Sequence, residues 1–111
     1  MTKYMLLYKG AATPTEDMSE DQGKEVMAKW QTWMEKVGGA LVDVGAPITP
    51  NAGVDKVDDG STGSLTALSG YSIIEADDLE AAKALVDGHP FLSEGQGNFS
   101  VEVQELQPAP F

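Results

Sequence analysis

The first stretch of the chain alternates apolar residues on two faces at once, with Tyr4, Leu6 and Tyr8 on one and Met5 and Leu7 on the other. A two-residue period of this kind predicts a β-strand over Lys3 to Tyr8. Gly10 to Thr15 contains Pro14 and reads as a loop. From Val26 onward the period changes. Val26, Met27, Trp30, Trp33, Met34 and Val37 recur at separations of three and four, which places them on one stripe of a helix. The helix is expected to begin near Ser19, because Ser19 and Gln22 have the spacing of a capping box and Glu20 and Asp21 suit the positive end of the helix dipole. Gly38-Gly39 closes it. Trp30, at the centre of the stripe, is expected to be substantially buried.

Ala40 to Gly45 reads as a second strand, and Ala46 to Gly63, rich in Pro, Asn, Asp and Gly, as a long loop. Ser64 to Glu75 is a third strand and Asp78 to Asp87 a second helix. Asp77 and Glu80 again have capping-box spacing, Gly88 ends the helix and Pro90 forbids its return. Phe99 to Leu106 is the last strand. The order β-α-β-β-α-β predicts an α+β, ferredoxin-like domain: a four-stranded antiparallel sheet with two helices on one face. No repeat or linker divides the chain, so residues 1–111 are read as one domain with a Pro-rich tail at 107–111. Strand residues are apolar on both parities: Leu65, Tyr71 and Ile73 on one, Leu68 and Ile74 on the other. Two helices cover only one face and the tail is too short to cover the other. A homodimer packed sheet to sheet is therefore expected.

Charge narrows the partners. Eighteen acidic residues against seven basic ones give a net charge of −11, which argues against nucleic acid, whose affinity rests on Lys and Arg contacts to phosphate. Anionic membrane surfaces are disfavoured for the same reason. The apolar run at the N-terminus stops at Lys9, too short for a signal peptide or a span, so no membrane association and a cytoplasmic location are expected. The absence of cysteine excludes disulfides, thiol catalysis and thiolate metal sites. Asp55, Asp58 and Asp59 lack the alternating ligands and closing Glu of a calcium loop. Glu16, Asp17, Glu20, Asp21 and Glu25 read as a solvated helix face. With no phosphate loop, zinc motif or Ser-His-Asp pattern, neither a metal nor a cofactor is expected.

The candidate chemistry centres on His89, the only histidine, set in a turn just past a helix C-terminus. Three roles are open to it: capping helix carbonyls, lining a pocket, or moving protons near neutral pH with a partner that orients the ring. Its side chain is expected to border a pocket near the first helix and third strand. Tyr71 is a candidate catalytic partner, because its strand parity differs from that of Ile74. Trp30, Tyr8 and Phe91 are the expected pocket lining, although aromatics at such positions are also ordinary core. Three functions fit: a small enzyme for proton transfer, isomerisation or elimination on a small organic substrate; a non-catalytic binding or sensing module; and an accessory interaction protein.

Five segments in register carry a family likeness: K-Y-M-L-L-Y at Lys3 to Tyr8, V-G-A-P at Val44 to Pro47, G-Y-S-I-I-E-A-D-D-L-E-A-A at Gly70 to Ala82, G-H-P-F at Gly88 to Phe91 and V-E-V at Val101 to Val103. Together they resemble the YCII-related domain family, which includes the DGPF proteins. The resemblance implies a dimeric α+β barrel, similar in plan to muconolactone isomerase, with a pocket between the sheet and the helix and loop ends. It also implies a link to dehalogenation of chlorinated aromatics. The His-Asp pair proposed as the active site of bacterial members is not reproduced. This chain has His89 at the aspartate position and no histidine on its first helix, and Asp59-Gly60 is followed by Ser61 rather than proline.

Overall fold

A computed structural model describes residues 1–10, 18–92 and 97–108. The chain order is β1 (Thr2–Lys9), α1 (Glu20–Val37), a 3-10 turn (Gly38–Ala40), β2 (Leu41–Pro47), β3 (Asp55–Lys56), β4 (Thr62–Gly63), β5 (Leu68–Ala76), α2 (Leu79–Val86), a second 3-10 turn (Pro90–Leu92) and β6 (Ser100–Leu106). β2, β5, β1 and β6 form one antiparallel sheet in that spatial order. This is the split βαβ arrangement of a ferredoxin-like fold, as the alternation of patterns predicts. Among the described residues β2 and β6 are the outer strands. Pairing of β2 with β5 is interrupted between Leu41 and Asp43 and again between Asp43 and Ala46.

Local chemistry sets the element ends. Ser19 caps α1 with both halves of the capping box, its hydroxyl accepting from Gln22 N and the Gln22 side chain accepting from Ser19 N. The second helix is capped differently from the expected Asp77–Glu80 box. Asp78 is the residue with extended backbone, and its carboxylate accepts from Ala81 N at 2.8 Å. Gly88, at φ +79, takes the left-handed turn that follows α2. The expected loop over 46–63 also needs correction: β2 continues to Pro47, and β3 and β4 pair as a two-residue ladder around a turn in which Asp59 accepts from Ser61 N. The third long strand begins at Leu68 rather than Ser64, which leaves Leu65 exposed outside it. Most of the Gly10 to Thr15 loop and the end of the tail fall outside the described residues.

Packing sorts the two faces of the sheet. Tyr4, Leu6 and Tyr8 of β1 and Ile74 and Ala76 of β5 are buried with Trp33 and Val37 of α1 and Ala82 and Val86 of α2. The register pairs Tyr4 with Ile74 and Leu6 with Ser72, so this parity faces the helices. Met5, Leu7, Tyr71 and Ile73 occupy the other parity and are half-buried. Within the stripe of α1 the buried tryptophan is Trp33, at 2% exposure, and not Trp30. Trp33 Nε1 donates to Leu85 O at 2.8 Å, which draws that ring under α2 and leaves Trp30 half-buried one turn-edge away. Met27, also placed on the stripe, is 59% exposed. Lys36 donates to Ala84 O and Asp87 O and so caps the carbonyl end of α2, one of the roles open to His89.

Candidate functional site

His89 is 1% exposed, and its ring lies among three aromatics, with centroids 4.4 Å from Trp33, 4.8 Å from Trp30 and 4.8 Å from Tyr8. Both ring nitrogens are engaged. Phe91 N donates to Nδ1 at 3.0 Å, so Nδ1 carries a lone pair and the proton of the neutral ring sits on Nε2. Nε2 lies 3.1 Å from Tyr8 Oη and therefore donates to it.

The order of donors continues without a choice. Ser72 Oγ donates to Val44 O at 2.7 Å, because a carbonyl only accepts. Tyr8 Oη, 2.5 Å from Ser72 Oγ, is then the donor of that pair. The chain of hydrogen bonds runs from Phe91 N–H through His89, Tyr8 and Ser72 to Val44 C=O, linking the turn after α2 with β1, β5 and β2. Burial keeps both titratable members neutral: desolvation lowers the His89 pKa to about 4, and desolvation raises that of Tyr8 against the smaller opposing effect of its bond to Ser72.

A cleft of about 530 Å³ opens between α1 and the end of the sheet where β1 and β2 finish and β5 begins. Tyr8, Trp30 and Phe91 line it, together with Phe99 and the methionines Met18, Met27 and Met34. Phe91 stacks near Tyr8, with centroids 5.4 Å apart, and meets Phe99 edge to face at 5.1 Å. Gly70 fits tightly here, since a Cβ would stand 3.2 Å from the Tyr8 ring and 3.0 Å from Ala46 O. Gly45 is required, with φ +76 and a Cβ that would fall 1.8 Å from Tyr71 O.

His89, expected at the edge of the cleft, lies behind its wall because Tyr8 and Trp30 close over it. Its connection to the cleft wall is the hydrogen bond to Tyr8, a lining residue. Tyr71 touches the cleft but belongs to the parity of Met5, Leu7 and Ile73, opposite to Ser72. The structure therefore does not bring Tyr71 to His89; Tyr8 fills that place. Ser72, in the hydrogen-bonded chain, and Lys29, which also lines the cleft, are not singled out by the sequence. The even parity that Ser72 shares with Ile74 was the available signal, whereas Lys29 carries no signal apart from adjacency to Trp30.

The profile of the YCII-related domain matches residues 2–107. The chain belongs to the YCII-related domain family. A solved structure similar to this YCII-related chain is 5-chloro-2-hydroxyhydroquinone dehydrochlorinase (TftG) from Burkholderia phenoliruptrix AC1100, in complex with 2,5-dihydroxybenzoquinone. It is 18% identical, with a TM-score of 0.56, over 96% of this chain and 95% of that one. At that identity the likeness establishes the fold. No curated protein matches the sequence. The YCII-related chain thus keeps this fold, with a buried, neutral His89 behind the wall of its cleft.

Proposed function

We propose that the cleft binds a small, flat organic molecule and that Tyr8 is its polar contact. The aromatic and methionine lining around an opening of about 530 Å³ carries this reading, since such walls suit planar apolar rings. His89 is not the contact, because both of its nitrogens are occupied within the protein. Tyr8 can redirect its proton from Ser72 to a ligand oxygen, for Ser72 keeps its own bond to Val44 O and loses only an incoming donor.

The finer reading is acid–base chemistry of the isomerisation or elimination type on that molecule. The dehydrochlorinase similar to this chain supports it, as does a phenol that burial keeps protonated and able to stabilise a developing oxyanion. A binding or sensing role without turnover is the second reading, favoured by the sequestered His89. The half-buried apolar parity of Met5, Leu7, Tyr71 and Ile73 supports a homodimer joined through the sheet.

Calorimetric titration with 2-naphthol tests the site. Saturable binding that weakens about tenfold in Tyr8→Phe, the size of one lost hydrogen bond in a desolvated site, is the expected result. Absence of binding to the folded wild-type protein at millimolar probe would refute the site. Chloride release from 5-chloro-2-hydroxyhydroquinone, abolished in Tyr8→Phe, would select the elimination reading; binding without turnover would select the second.

A further inference from the structure

We propose that the cleft selects a flat organic acid, and that Lys29 receives its carboxylate or ionised enol. This rests on the reading that the cleft binds a planar molecule and specifies that molecule's charge.

Among the described lining residues Lys29 is the only one with a formal charge; the rest are apolar, aromatic, glycine or serine. Lys29 and Trp30 both sit on α1 and both line the cleft, Lys29 as an exposed residue and Trp30 as a half-buried one. Lys9, Lys24 and Lys83 each pair with a glutamate and Lys36 is held by backbone carbonyls, whereas Lys3, Lys29 and Lys56 have no ion pair among the described residues, and of these three Lys29 alone lines the cleft. Glu25, four residues before Lys29 and correctly spaced for a helical pair, does not engage it. Among the described residues the cation is thus left available at a cleft lined by rings.

The net charge of −11 opposes anions at long range, but magnitudes favour the local group. Screening over about 8 Å at physiological ionic strength weakens the distant carboxylates, whereas Lys29 shares the cleft lining with Trp30 and acts on a bound ligand at short range. A lysine is a point charge that suits a single carboxylate or enolate oxygen. A cationic ring is repelled at the same rim, so the discrimination has two sides.

The test compares 2-naphthoate with the neutral, nearly isosteric 2-naphthamide by calorimetry at low salt, in the wild type, Lys29→Gln and Lys29→Arg. The wild type is expected to bind naphthoate about tenfold more tightly than naphthamide, the value of one charge-assisted contact. Lys29→Gln should remove that preference and leave naphthamide within about twofold, while Lys29→Arg retains it, because only the charge is being read. Raising the salt should weaken naphthoate alone. Equal affinity of the two probes in the wild type, or equal losses of both in Lys29→Gln, would overturn the assignment while leaving the binding site intact. Failure of both probes to bind the folded wild type would refute the site itself, and the assignment with it.

Discussion

At the scale of single residues, His89 shows how burial converts a titratable side chain into a fixed donor. Its place in the sequence, in a turn beyond a helix, fits a proton carrier equally well, and only the closure of Tyr8, Trp30 and Trp33 over it decides the matter. The consequence for stability has a definite sign. An unfolded histidine takes up a proton near pH 6.5, but the folded one resists until about pH 4, so the unfolded state binds more protons in that interval. The contribution of the neutral ring is fully present above about pH 6.5 and is lost as the pH falls toward 4. Urea unfolding of the wild type and His89→Gln should show the wild-type advantage shrinking by about 2 kcal/mol between pH 7 and pH 5. An advantage independent of pH would mean that the ring titrates normally in the fold.

At the scale of elements, the two tryptophans of α1 divide structure from site. Trp33→Ala is expected to cost about 3 to 5 kcal/mol in denaturant unfolding, through lost transfer energy, the cavity left behind and the unmade bond to Leu85 O. Trp30→Ala should cost clearly less, yet weaken 2-naphthol binding by more than Trp33→Ala weakens it in protein that remains folded. Equal effects on both readouts would erase the distinction. Spacing three residues apart put both rings on the apolar stripe, but only the packing of α2 selects which one is covered. The same limit explains the other differences. Elements with a long period and a cap, such as α1 behind Ser19 or β1, were legible from the sequence. The ladder of β3 and β4, two residues long on each side and without an apolar side chain, offered no periodicity to read. Asp77 and Asp78 compete chemically for one cap, and backbone geometry rather than composition chose Asp78. The hydrogen-bonded site was the least legible part, since Tyr8 is 64 residues from Ser72 and 81 from His89. Parity groups Tyr8 and Ser72 only once the register of β1 on β5 is known.

At the scale of the whole molecule, the sheet has one face under helices and one open parity of Met5, Leu7, Tyr71 and Ile73. Light scattering at micromolar concentration is expected to return twice the chain mass of 11.8 kDa, and Ile73→Lys to return the single-chain mass with the fold retained. A folded wild-type monomer at that concentration would remove the dimer proposal. The outer strands carry a different consequence, one that concerns colloidal fate. An unpaired strand edge is a template on which another chain can add and begin a fibre. Along β2 that template is interrupted twice by its irregular register, and Pro47 offers no N–H at its end. β6 has an uninterrupted register with β1 and carries charge instead, an exposed Glu105 and a half-buried Glu102 paired with Lys9. One edge is therefore guarded by shape and the other by ionisation. Because the Gln104 amide and the Lys9 ammonium hold the Glu102 carboxyl below the usual carboxylate range, that charge persists further into acid than an unpaired carboxylate's would, and β6 keeps part of its guard there.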